Sequence, residues 1–295
     1  MIEENEGTVQ RQAESGRLHR LWRVLRLTGE TFVDNNAWSR GASIAYFTLF
    51  SVSPVLLVVI AVAGLVFGQD AAEGAIVAQL SGLMGHDTAE TIQAMVRSAS
   101  DRMRGTVATL VGLGAILLAT TGVFGEVQAA LNAIWRAQPD RSTMTRLVRA
   151  RLVSLGLVIA FGFVLMVSLA VSAALQAVST YLRNLVPGME MTLSVTDFLL
   201  STVLIAVLFA AMYKILPDVV IRWRDVAVGA VMATALFAGG KYLIALYIGR
   251  SPIASTFGAA GALIVLLLWI FYSAQIFLLG AAFTRAWARI YGRAI

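Results

Sequence analysis

Residues Gly41 to Gly68 read GASIAYFTLFSVSPVLLVVIAVAGLVFG, and none of these positions is charged. An α-helix rises about 1.5 Å per residue, so roughly 20 residues cross the ~30 Å hydrocarbon core of a bilayer. This stretch is long enough to cross it with a turn or two left for tilt. It therefore predicts a membrane span over residues 41–68, and the rest of the chain is interpreted around this first span.

The composition extends that prediction to the whole chain. Of its 295 residues, 58% are hydrophobic and 14% are charged, and the mean hydropathy is +0.78. A water-soluble domain of this size could not bury so much apolar surface, so we predict an all-α polytopic membrane protein. The chain has no cysteine, which excludes disulfides, thiolate zinc sites and thiol nucleophiles. The polar first forty residues contain no apolar signal segment, so we expect the first span itself to direct insertion.

Six apolar segments are predicted to form one transmembrane domain over residues 41–287. The six spans cover about 41–68, 106–124, 152–178, 198–216, 226–248 and 256–284. Before them, we predict a disordered cytoplasmic tail (1–16) and an amphipathic juxtamembrane helix (17–40) in which Leu18, Leu21, Trp22, Leu25 and Phe32 recur at helical spacing among Arg residues. Residues 288–295 are predicted to be a cytoplasmic tail.

Polar signals mark the ends of several helices. Between the first two spans, Asp70 before Glu73 and Asp87 before Glu90 resemble capping boxes, and predict two short amphipathic helices within residues 69–104. Ser194 and Asp197 are predicted to cap the fourth span, and Pro217 to end it. Gly229 and Ala233, four residues apart in the fifth span, predict a close approach to a neighbouring helix.

The distribution of basic residues predicts the orientation, because Lys and Arg are retained on the cytoplasmic side. Seventeen of the 23 lie in four segments, residues 11–40, 136–151, 214–224 and 285–293. The alternate loops hold five, and Lys241 lies inside the fifth span. Both termini are therefore predicted to be cytoplasmic. The net charge of +6 follows largely from this asymmetry, so no nucleic acid partner is expected.

The first span carries polar residues near its middle, namely Tyr46, Ser51, Ser53 and Pro54. Pro54 cannot donate a hydrogen bond to the Phe50 carbonyl, so it predicts a kink or a free carbonyl. One interpretation is a discontinuous helix that contacts a substrate or an ion, as in many transporters. The other is a kink satisfied by Ser51 or Ser53 that serves packing alone.

Glu126 also allows two interpretations. If the second span continues to Trp135, this carboxylate lies inside the membrane and marks a proton or cation site. If Gly122 and Gly125 end the span, Glu126 begins an amphipathic helix at the cytoplasmic surface, and the residue pattern favours this geometry. In that pattern one face carries Val123, Val127, Leu131 and Ile134, and another carries Gln128 and Asn132.

Polar residues in the last two spans complete the candidate pathway. Lys241, followed by Tyr242, lies about two turns inside the outer end of the fifth span. Its side chain either snorkels outward or faces a cavity, where it would attract phosphate or carboxylate head groups. Tyr272 and Gln275 share a face of the sixth span, and hydrogen bonds between helices are the simpler explanation for both.

Four ordered stretches resemble the YihY/BrkB family. They read AYFTLFSVSPVLL, TTGVFGEVQAALNAIWRA, ILPDVVIRWRDVAVGAV and STFGAAGALIVLLLWIFYSAQIFLLGAAFT. The resemblance covers about residues 25–290, and implies a bacterial inner-membrane protein with six spans, an older ribonuclease label, and lipid or solute transport. Similar proteins usually carry Glu at the position of Ala282. This chain therefore lacks an acidic group that could take part in ion coupling or pair with Arg285.

Hydrolysis of RNA needs a general base and acid, or metal-binding carboxylates, around one phosphate. The sequence offers no such cluster, and its two histidines, His19 and His86, are predicted on opposite sides of the membrane. No Walker-type phosphate loop is present, so direct use of ATP is not expected.

We therefore predict a non-enzymatic carrier that moves or flips a lipid or a small amphiphilic solute, with no cofactor and no metal. Membrane lipids are the expected partners, and a homo-oligomer is compatible with the sequence. The first alternative is a non-transporting membrane scaffold, and the second is a membrane-associated ribonuclease.

Overall fold

A computed structural model describes residues 3–84, 86–102, 122–137, 156, 189–250 and 259–292. Every regular element in this part of the chain is an α-helix, which confirms the predicted all-α class. The helices are α1 (Glu3–Asp34), α2 (Ala37–Phe67), α3 (Gln69–Met84), α4 (His86–Arg102), α5 (residues 122–135), α6 (Met189–Ile215), α7 (Trp223–Arg250) and α8 (Ala259–Tyr291).

Three helices of the described part contain stretches long and apolar enough to cross a membrane, namely Phe198–Ile215 in α6, Trp223–Ile244 in α7 and Ala260–Tyr291 in α8. They match the predicted fourth, fifth and sixth spans, so the chain is a helical membrane protein. The predicted first span, residues 41–68, lies within α2 except for Gly68, which caps this single helix of 31 residues. The spans predicted over 106–124 and 152–178 lie almost entirely outside the described residues, so the count of six stays a prediction.

The segment predicted as one juxtamembrane helix bends at its end. α1 ends at Asp34 and α2 begins at Ala37, and Asn36 between them has a left-handed backbone with φ +51°. Asn adopts this conformation more readily than most residues because its short polar side chain bonds locally. α1 also includes residues 3–16, which the sequence assigns to a tail.

α1 packs along α8 with one face and leaves another exposed. Val24, Thr28 and Phe32, spaced four residues apart, form the buried face. Leu21, Trp22 and Leu25 remain exposed, beside the exposed Arg20 and Arg23. Burial is described for four of the five apolar residues that the sequence assigns to one stripe. Of these four, Phe32 packs inward, and Leu21, Trp22 and Leu25 do not.

The two helices predicted within residues 69–104 are present as α3 and α4. Their buried residues Ile76, Ile92 and Val96 pack with Ile60, Ile244 and Trp269 in one of the two apolar cores. Glu73 accepts hydrogen bonds from Gln93 Nε2 and Arg97 Nε, both at 2.7 Å. Its carboxylate therefore ties α3 to α4, which is a different role from the predicted cap.

The helix that holds the fourth span starts earlier than predicted. α6 begins at Met189, directly after Pro187 and Gly188, so Ser194 and Asp197 lie inside the helix and do not cap it. Residues 189–197 contain neither Pro nor Gly to interrupt the helix. Its end at Ile215 agrees with the prediction, because the residue before Pro217 disfavours the helical conformation.

α6, α7 and α8 pack around the second apolar core, which includes Tyr213, Ala233 and Leu278. α7 and α8 approach closely, and a Cβ placed on Gly229 would lie 1.6 Å from Thr284 Oγ1. Ala233 is fully buried four residues later. The predicted close approach through Gly229 and Ala233 is therefore confirmed.

Candidate functional site

The densest group of polar contacts in the described part lies where α5, the turn after α6, and α8 meet. We call it the polar junction, and define it by Gln128, Asn132, Lys214, Asp218 and Arg285. Asn132 Nδ2 donates to Asp218 Oδ2 at 2.8 Å, and the Asp218 backbone N–H donates to Asn132 Oδ1 at 2.8 Å. Gln128 Nε2 lies 3.3 Å from Asp218 Oδ1. One carboxylate thus joins two side chains of α5 to a turn some 90 residues away.

The helical period explains why α5 presents both amides to the same carboxylate. Gln128 and Asn132 are four residues apart and therefore lie on one face. On the other face, Val127, Leu131 and Ile134 are buried in the apolar core. Burial of that apolar face fixes the rotation of α5, and so directs the amides toward the turn.

Lys214 stabilises the turn formed by residues 216–222. Its Nζ donates a hydrogen bond to the Ile221 carbonyl, and lies 5.5 Å from the centroid of the Trp223 ring. A cation over an aromatic face is attracted by the ring quadrupole. The turn that carries Asp218 is therefore fixed from both of its ends.

Arg285 connects α8 to the end of α5, where its guanidinium donates to the Ile134 carbonyl. A cation at this position satisfies a free carbonyl and interacts favourably with the negative end of the helix dipole. Ala282, three residues earlier, is fully buried in the apolar core. A methyl group therefore fills the position where the family resemblance implies Glu, and Arg285 bonds to backbone.

These contacts bring together segments that the basic-residue count assigns to one side of the membrane. Residues 132–136, 214–224 and 285–289 meet at the junction, and α1 packs along α8. The orientation of this end, cytoplasmic or external, stays a prediction.

The polar residues of the first span lie in separate surroundings. Ser51 is buried and donates to the Thr48 carbonyl at 3.0 Å, whereas Ser53 donates to the Met95 carbonyl of α4 at 3.3 Å. α2 is one continuous helix through Pro54. These bonds agree with the packing interpretation of the serines. Tyr46 is exposed, and its ring centroid lies 4.9 Å from that of Phe50.

Glu126 is half-buried on α5, and Gly125 lies inside that helix. Residues 103–121 lie outside the described residues, so the depth of Glu126 in the membrane stays a prediction. Lys241 and Tyr242 are exposed on α7. In the described part of the chain, no ion pair joins Glu126 to Lys241.

Tyr272 and Gln275 both make the contacts between helices that the simpler explanation predicts, but to different neighbours. The Tyr272 hydroxyl lies 3.5 Å from the Leu236 carbonyl of α7. Gln275 Nε2 donates to the Trp38 carbonyl of α2 at 3.3 Å. Gln275 Oε1 is buried, and no group in the described part of the chain hydrogen-bonds to it.

The structure therefore unites two predicted site residues, Gln128 and Asn132, and adds three that the sequence did not single out as site residues, Lys214, Asp218 and Arg285. Gln128 and Asn132 lie four residues apart, opposite a buried apolar face, and this pattern was the sequence signal for a polar partner. Among the described residues, no group of three acidic or histidine side chains is arranged to hold a metal ion.

Comparison with known proteins places the chain among bacterial membrane proteins. A family model described as Virulence factor BrkB matches residues 28–293. A UPF0761 membrane protein of Rhodospirillum centenum is 30% identical over 91% of this chain and 58% of its own length. A UPF0761 membrane protein of Ralstonia nicotianae is 31% identical over 88% of this chain and 56% of its own length. The chain thus spans less than three-fifths of these two relatives, and no solved structure matches it.

Proposed function

Because the chain belongs to the BrkB family of membrane proteins, we propose that it moves a lipid or a small amphiphilic solute with an anionic head group across the bacterial inner membrane. The proposed movement includes no catalytic step, no ATP hydrolysis and no metal.

The observation that carries this proposal is the exposure of Lys241. This residue lies within the apolar stretch Trp223–Ile244 of α7, and its neighbours Tyr242 and Leu243 are 64% and 70% exposed. A cation at this depth is costly unless its side chain reaches the interface or meets an anion. In the part of the chain that the structure describes, Lys241 has no ion-pair partner. The phosphate or carboxylate of a passing head group would supply the missing charge.

A buried amide gives the proposal a second source of support. Gln275 Oε1 on α8 is buried and has no hydrogen-bond partner among the described residues. A buried acceptor without a donor lowers the stability of the protein by about 1–3 kcal/mol unless water or another donor reaches it. A hydroxyl or ammonium group of a head group would provide that donor.

The test is lipid movement in vesicles that contain the purified chain and a fluorescent phosphatidylglycerol. Lys241→Ala should slow the movement roughly tenfold, because a charge-assisted hydrogen bond to phosphate is lost. Lys241→Arg should retain most of the rate, since it keeps the charge. The matched control is Arg224→Ala, which removes an exposed cation at the other end of the same helix and should leave the rate unchanged.

Equal rates for Lys241→Ala and the unchanged chain, with equal amounts of folded protein in the vesicles, would contradict the proposal. That result would favour the scaffold alternative.

A further inference from the structure

Three arginines gather where α5 ends against α8, and we call Arg136, Arg285 and Arg289 the arginine cluster. The hydrogen bond from Arg285 to the Ile134 carbonyl puts its guanidinium at the end of α5, two residues before Arg136. Arg289 follows Arg285 by four residues on α8, and therefore lies on the same face. The charges of Arg136 and Arg289 both act on Arg285. Arg136 and Arg289 are exposed, so a ligand can reach them.

Among the residues that the structure describes, no ion pair joins a carboxylate to the cluster. Ion pairs within the described ranges join Arg26 to Glu30 and Arg97 to Glu73, both away from the cluster. Asp218, the carboxylate of the adjacent polar junction, already accepts hydrogen bonds from Asn132 and Gln128. Three neighbouring cations repel one another, and a bound anion would reduce that repulsion.

Aromatic side chains on the same two turns of α8 indicate the depth of the cluster. The Phe283 and Trp287 ring centroids lie 6.1 Å apart, and those of Trp287 and Tyr291 lie 4.2 Å apart. Trp and Tyr are enriched at the level of the lipid head groups. Arg285 and Arg289 lie at the same height along α8 as these rings, on the opposite side of the helix. We therefore expect the cations to lie at the level of the phosphates of the adjoining leaflet.

From this arrangement we propose that the arginine cluster binds the phosphate of an anionic phospholipid head group. Arginine suits this ligand because its planar guanidinium donates two parallel hydrogen bonds to phosphate oxygens. Basic pockets between membrane helices are known to hold anionic head groups. The height of the cluster favours a lipid phosphate over a free phosphate ion, because lipid phosphates are concentrated at the level of the head groups. The proposed site holds a lipid that stays bound to the protein, whether or not the chain transports lipid.

Binding to the full chain in a neutral detergent tests the proposal. Fluorescent phosphatidylglycerol should bind at least about tenfold more tightly than phosphatidylcholine with the same acyl chains. The double variant Arg136→Gln/Arg289→Gln should lose most of this preference, whereas Arg285 is left in place because it caps α5. The control Arg97→Gln removes an exposed cation of α4 and should bind as the unchanged chain does.

Three results would overturn the proposal. The double variant could bind phosphatidylglycerol as tightly as the unchanged chain, with the same thermal midpoint. The unchanged chain could bind both lipids equally. Millimolar inorganic phosphate could displace the lipid, which would identify a free phosphate site. Lys241→Ala should bind phosphatidylglycerol normally, so a failure of this binding is distinguishable from a failure of transport.

Discussion

Asp218→Ala should lower the free energy of unfolding by about 3 kcal/mol, because two amides of α5 lose their acceptor at once. Asn132 Nδ2 and Gln128 Nε2 both donate to this carboxylate, and neither amide is fully exposed to water. The turn after α6 would also lose its connection to α5. Thermal unfolding of the purified chain in detergent, followed by circular dichroism, measures the effect.

A double-mutant cycle distinguishes the interaction between Asp218 and Asn132 from a general loss of stability. Asn132→Ala alone should cost about 2 kcal/mol, and the double variant should be about 1–2 kcal/mol less destabilised than the two single losses together. The matched control is Asn35→Ala, which removes an amide that bonds within its own helix, to the Thr31 carbonyl. Additive losses for Asp218 and Asn132 would contradict the reciprocal pair.

Gly280→Ala should destabilise the bundle by about 2–3 kcal/mol, since α8 has no room for a methyl group at this position. A Cβ on Gly280 would lie 2.3 Å from the Tyr213 hydroxyl oxygen and 2.8 Å from Ala233 Cβ. Tyr213 is fully buried, and its hydroxyl donates to the Phe277 carbonyl at 2.7 Å, so it cannot turn away without losing that bond. The thermal midpoint in detergent reports the loss.

Gly239→Ala is the control for this effect. A Cβ at Gly239 on α7 meets nothing within 4 Å, and Ala favours a helix by about 1 kcal/mol over Gly. This variant should therefore be neutral or slightly stabilised. Adding Tyr213→Phe to Gly280→Ala should recover part of the loss, because the nearest clashing atom is removed. Equal midpoints for the two Gly→Ala variants would show that the helices are not in close contact at Gly280.

Local sequence signals predicted those parts of the fold that depend on local chemistry. The start signals at Asp70 and Asp87 located α3 and α4, and Pro217 located the end of α6. The predicted start of the fourth helix was wrong, because Ser194 and Asp197 resemble caps but lie inside α6, which includes Met189–Ile215. The break at Asn36 was not predicted either, since the basic and apolar residues continue across it.

The polar junction shows why the candidate site was predicted only in part. The spacing of Gln128 and Asn132 indicated a shared polar face, but their partner Asp218 is set by tertiary packing across some 90 residues. Likewise, contacts between helices were correctly expected for Tyr272 and Gln275. No local sequence signal indicated that Tyr272 would contact α7 and Gln275 would contact α2. Long-range pairings of this kind follow from how the apolar faces pack.

The predicted membrane topology puts the polar junction on the cytoplasmic side, and α3 and α4 on the other. The chain has no cysteine, so single cysteines can report accessibility without background labelling. Ser98 of α4 is exposed, and Val220, beside the junction, is 86% exposed. In intact cells with a permeable outer membrane, an impermeant maleimide should label Ser98→Cys, and should label Val220→Cys only after the inner membrane is opened. Labelling of both from the same side, or the reverse order, would contradict the account.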